Sequence, residues 1–133
     1  MCRRPALVSV GMDATELLRT LCTTIDERRW EDLRPLLSDG FACRYVHTGE
    51  VLDADTWVRT NAEYPDFDRM VLEDLVGHGG RAVSRCRVTG RSGGESVAFE
   101  VASFVTAAAG QITELTEVWT DVGLTPPEGT RPV

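Results

Sequence analysis

Glu117, Trp119 and Asp121 occupy alternate positions near the end of the chain, in the run QITELTEVWTDV. Alternate residues of an extended strand point to one face, so two carboxylates and an indole would share it. A carboxylate closed in beside an indole loses hydration. That raises its pKa towards the range where a general acid or base works near neutrality. Asp121 has ordinary alternatives: it could end the strand in water, or pair with Arg85 or Arg87. Glu100 sits mid-strand between Phe99 and Val101. If buried, it needs a partner, a proton or a catalytic role, and an ion pair with an Arg of a neighbouring strand is the more common arrangement.

Tyr45 and His47 share a face of an earlier alternating run, FACRYVH. A phenol and an imidazole there could supply an oxyanion donor and a proton shuttle. His47 also precedes a turn, where a solvated imidazole is equally reasonable. Asn61 and Tyr64, near the end of a predicted helix, would rim the mouth of a pocket. Trp57 and Trp119 would form its walls, and Trp30 reads as ordinary core. His78 falls in a glycine-rich hairpin tip and is given no role.

These side chains need positioning elements. Asp13 is an N-cap residue type, with Glu16 three residues on. Leu17, Leu18, Leu21, Cys22 and Ile25 follow at helical spacing, predicting a helix to about Arg29. Trp30 to Leu37 reads as a second, short helix limited by Pro35, and Ser38-Asp39-Gly40 as a turn. Phe41 to His47 is a strand. Asp53 or Asp55 would cap a third helix through Ala62, ended by Pro65. Phe67 to Val76, Arg81 to Thr89 and the two runs between Glu95 and Val122 read as four long strands joined by Gly-rich turns, an antiparallel meander. Its first strand is apolar on both parities: Met70, Leu72 and Val76 on one, Val71 and Leu75 on the other. A sheet covered on one face should alternate more cleanly, so the second face is expected to meet another copy in a symmetric dimer. A single bulge in the last strand would exchange Glu117 and Asp121 for Thr116 and Val118.

Composition narrows the chemistry. The 133 residues suit one domain, read as a lead-in over 1–12, a domain over 13–122 and a Pro-rich tail over 123–133. The net charge of −7 argues against nucleic acid and anionic membrane as partners, because both reward clustered basic residues. There is no Lys in the sequence, which excludes Schiff-base chemistry and a P-loop. The four Cys show no CxxC spacing, so a zinc cluster is not expected, and Cys22, Cys43 and Cys86 read as buried free thiols. With no span-length apolar run, the protein is expected to be soluble and cytoplasmic.

The order helix, short helix, strand, helix and long meander resembles the nuclear transport factor 2-like fold. The segments Arg29-Trp30-Glu31-Asp32-Leu33, Leu37-Ser38-Asp39-Gly40-Phe41, Gly110-Gln111-Ile112 and Glu117-Val118-Trp119-Thr120-Asp121 resemble its SnoaL-like branch over roughly Asp13 to Val122. The resemblance implies an α+β cone, with three N-terminal helices packed on a curved antiparallel sheet around an apolar pocket. It also implies cofactor-free acid–base chemistry, with no metal, on a hydrophobic carbonyl compound. Asp121 is the nearest match to the acid that cyclase-like members carry near the end of the last strand. In this reading Glu117 or Asp121 is the base, and His47 or Tyr45 the acid or oxyanion donor. Trp57, Asn61, Tyr64, Glu100 and Trp119 contact the ligand. The sequence departs from the Asp-Arg-Asp set of the small epoxide hydrolases and from the Tyr-plus-two-Asp set of the steroid isomerases. Relatives that only bind or scaffold leave a non-catalytic ligand-binding protein or an accessory subunit as alternatives.

Overall fold

A computed structural model describes residues 12–133; the expected lead-in, apart from Met12, lies outside that range. Helix α1 spans Ala14–Asp26. Asp13 caps it by accepting from the Glu16 backbone N–H at 3.1 Å, which satisfies one of the orphan donors of the first turn. Leu17, Leu18, Leu21, Cys22 and Ile25 form its buried stripe and pack on the sheet. Burying a Leu or Ile side chain contributes about 1.5–3 kcal/mol.

The helix stops at Asp26, short of the expected Arg29, because tertiary contacts take over. The Asp26 carboxylate accepts from Arg69 and from the Met70 backbone N–H. Arg28 turns into the left-handed region at φ 57 and donates to the Phe67 and Asp68 carbonyls. The expected second helix is instead two single 3-10 turns, Trp30–Asp32 and Arg34–Leu36, with Pro35, which lacks an N–H, inside the second. Strand β1 runs Leu37–Tyr45, so the expected turn at Ser38-Asp39-Gly40 lies inside a strand, where the pairing shifts register between Leu37 and Ala42. β2 is Val51–Asp53 and helix α2 is Ala54–Ala62, capped by Asp53.

The meander follows: β3 Phe67–His78, β4 Arg81–Ser92, β5 Glu95–Ala108 and β6 Gln111–Asp121. All six strands form one sheet in the order β2-β1-β6-β5-β4-β3. The sheet is mixed rather than wholly antiparallel, because β1 pairs parallel to β6. The architecture is the expected α+β fold, helices on a curved sheet.

Two irregularities decide which side chains face the helices. In β6 the register slips between Ile112 and Glu114, upstream of the acids, so Leu115, Glu117, Trp119 and Asp121 keep one parity, and Leu115 and Glu117 are buried under the helices. In β3 a slip between Leu72 and Asp74 puts Met70, Leu72 and Leu75 on the helix side and leaves Val71 and Val76 on the outer side. Part of the mixed parity of β3 is therefore a bulge. Exposed Val71, Val76, Phe104 and Val118 still dot the outer face. Cys22, Cys43 and Cys86 are free and buried, with the Cys22 and Cys86 sulfurs 3.5 Å apart. Among the described residues no helix is long and apolar enough to cross a membrane.

Candidate active site

Glu117 is 6% exposed and lies beside Tyr45 in the parallel β1–β6 register. Both of its oxygens are occupied. Trp119 Nε1 donates to Oε1 at 2.7 Å, and Trp57 Nε1 donates to Oε2 at 3.3 Å. Burial pushes its carboxyl up to about 7, while the two indole N–H groups act in the opposite direction. Trp57 is fully buried and stacks at a tilt against Phe41. Asn61 anchors α2 rather than a ligand: its Nδ2 donates to the Trp57 carbonyl at 2.9 Å.

Above this buried group opens a cavity of about 410 Å³. Its polar groups include the Tyr45 phenol, the His47 imidazole and the Asp121 carboxylate; its apolar walls are Trp119 and Phe99, and Tyr64 and Leu124 stand at its edge. His47 lies beyond the end of β1, yet its ring stays within 5.7 Å of Tyr45 and 6.4 Å of Trp119, centroid to centroid. Phe99 meets Trp119 edge-on at 6.1 Å. Burial, and then the Glu117 charge, hold the Tyr45 phenol well above the usual range, so it stays neutral and able to donate. Among the described residues its hydroxyl has no hydrogen-bond partner and Asp121 has no ion pair.

Besides Asn61, three placements differ from the expectation. Glu100 lies on the outer face rather than against a ligand, in the ion pairing anticipated for a mid-strand acid, bound by Arg85 Nη1 at 3.2 Å and Arg87 Nη1 at 3.4 Å. Val101, its neighbour, takes the buried side, because β5 alternates with that phase. Glu117 and Trp57 do not line the cavity; they sit behind Trp119 as a buried carboxylate and its second donor. Arg85 and Arg87, considered as partners for Asp121, serve Glu100 instead. Phe99 and Leu124 were missed as cavity residues. Phe99 shares the parity of buried Val101, a phase the β5 sequence alone does not set; Leu124, in the tail, carried no signal.

The model of the SnoaL-like domain matches residues 18–115. The chain belongs to the SnoaL-like domain family. This SnoaL-like protein has the nuclear transport factor 2-like fold. It superimposes on a candidate ketosteroid isomerase from Kribbella flavida with a TM-score of 0.74 at 22% identity, covering 85% of this chain and 82% of that one. A candidate SnoaL-like polyketide cyclase from a Jannaschia species gives 0.70 at 18% identity, covering 90% of each. An LEH-like epoxide hydrolase of M. tuberculosis gives 0.69 at 11% identity, covering 80% and 82%. At these identities the likeness is one of fold. No curated protein matches the sequence. No Arg lines the 410 Å³ cavity, so no Asp-Arg-Asp set is assembled within it among the described residues.

Proposed function

We propose that this SnoaL-like domain is a small enzyme that moves protons on a hydrophobic carbonyl compound. The observation that carries the reading is a single apolar cavity presenting a neutral phenol, an imidazole and an unpaired carboxylate. Asp121 takes a proton from the carbon next to the carbonyl. The C–H pair moves into the C–C bond and the carbonyl pair onto oxygen, where the Tyr45 hydroxyl donates. His47, against Tyr45, returns a proton to the product. In isomerisation that proton returns to carbon. In cyclisation the enolate carbon bonds to a second carbonyl of the same molecule, whose oxygen takes the electron pair and the proton. In dehydration the enolate expels a β-hydroxyl, which takes the proton and leaves as water. Glu117 is left as a positioning group, because both of its oxygens are committed to indoles.

The test is solvent deuterium exchange into a panel of apolar ketones, followed by NMR. The wild type should exceed buffer, and Tyr45→Phe and Asp121→Asn should each lose about a hundredfold or more. Wild-type rates no faster than buffer across the panel would leave the second reading, a binding protein, which is favoured by the full satisfaction of Glu117 and by the exposed position of Asp121 at the rim.

We further propose a homodimer through the outer sheet face, where Val71, Val76, Phe104 and Val118 are exposed around the Glu100–Arg85–Arg87 cluster. Sedimentation of wild type and Phe104→Asp tests it; equal monomer masses would refute it.

A further inference from the structure

Phe99 belongs to more than one cavity. On one side it walls the 410 Å³ candidate site with Trp119. On the other it borders an open groove of about 1120 Å³ that runs along the ends of β3, β4 and β5. It also borders a small cavity of about 180 Å³ beneath Tyr64 and Val88. Asp121 and Leu124 line both the site and the groove as well, so the two spaces adjoin at three side chains, of which Phe99 is the aromatic one. The ring meets Trp119, and its backbone is fixed by β-pairing to Val88 and Asp121. The Val122 N–H donating to the Ala98 carbonyl at 3.1 Å pins the tail that brings Leu124 over it. The two spaces differ in character. The site is mainly aromatic, with Thr60 and Thr120 among its lining residues, whereas the groove is the more polar, lined by Thr89, Ser92 and Ser96 and by the charged Asp66, Asp68 and Arg91.

We propose that Phe99 is the partition that sets ligand length, and that the natural ligand is an elongated amphipathic carbonyl compound. Its apolar carbonyl end lies against Trp119 and its hydroxylated end passes Phe99 into the groove. The inference rests on the reading of the Tyr45–Asp121 cavity as a carbonyl site. It adds which residue selects the substrate and what the far end of that substrate carries.

Straight-chain methyl ketones of increasing length, each with and without a terminal hydroxyl, serve as probes, with binding followed by calorimetry. Affinity should rise about fourfold per methylene while the chain stays in the aromatic site, and flatten once it meets Phe99. Phe99→Ala and Phe99→Leu should move that flattening to longer chains, and Phe99→Trp to shorter ones. In the chains that reach the groove, the terminal hydroxyl should improve binding. If the flattening length is the same in wild type and in every folded Phe99 variant, with folding checked by near-ultraviolet circular dichroism, the partition is wrong while the carbonyl site stands. If the hydroxyl weakens binding at every length, the groove is not the distal subsite. If no ketone binds the wild type, the carbonyl-site reading falls and this inference with it.

Discussion

Replacing Glu117 by Gln isolates one titrating proton in the core. The folded carboxyl stands at about 7 against 4.5 for the free group, because the ionised form gives up its hydration on burial. A group whose folded pKa is raised favours the folded state fully below its unfolded pKa. That contribution is lost as pH rises through the folded value. At 1.36 kcal/mol per pH unit the whole gap is worth about 3 kcal/mol, of which about 2 to 3 falls between about pH 5 and about pH 8. Gln cannot ionise. It can accept one indole N–H through its carbonyl, but its NH2 faces the other, a mismatch costing about 1–3 kcal/mol at every pH. Urea unfolding of both proteins across that range gives the difference, in which the other carboxylates cancel. Near pH 5, Glu117→Gln should be the less stable protein. By pH 8 the difference should have moved about 2 to 3 kcal/mol in the variant's favour, closing or reversing the gap. A difference flat to within about 1 kcal/mol would refute a buried, titrating Glu117.

Trp119→Phe removes the shorter of the two donors to Glu117, so the carboxyl should titrate above its wild-type value by carbon NMR; a fall would show that the hydrogen bond is not made. Trp57→Ala empties a fully buried site and should cost about 3–5 kcal/mol in denaturant unfolding. Asp26 is held below the usual carboxylate range, chiefly by its hydrogen bond from Arg69. Its contribution is present above the unfolded pKa and lost as pH falls, so the stability deficit of Asp26→Asn should shrink in acid. Gly77→Ala places a methyl where Thr15 Oγ1 and the Ala82 side chain already sit and should weaken α1 docking, read as faster amide exchange along that helix.

The parts of this architecture that follow local rules were legible before any coordinates. Asp13 and Asp53 are cap residues and act as caps. The four-strand meander follows from its Gly turns, and the shared parity of Glu117, Trp119 and Asp121 survives because the β6 bulge falls upstream of them. What escaped depends on contacts between distant segments. The Trp57 indole reaches Glu117 across sixty positions, and no periodicity within either segment announces it. The phase of β5, which turns Glu100 outwards, follows from pairing with β4 and β6 rather than from its own pattern. The end of α1 at Asp26 is set by Arg69 and Met70, far along the chain.

The parallel pairing of β1 with β6 has a kinetic meaning. Tyr45 sits beside Glu117 although roughly seventy residues separate them, and β6 enters the sheet between β1 and β5. A chain emerging in order can form α1 and the β3–β4–β5 hairpins early, from neighbours. The edges of β1 and β5 then wait, unpaired, for the final strand, the kind of non-local closure that slows folding and exposes strand edges to other chains. The carboxylate is carried by that last strand. The most costly group to desolvate therefore enters the core in the step that closes the sheet, and a chain ending before it would lack both the charge and the seam that holds the two halves together.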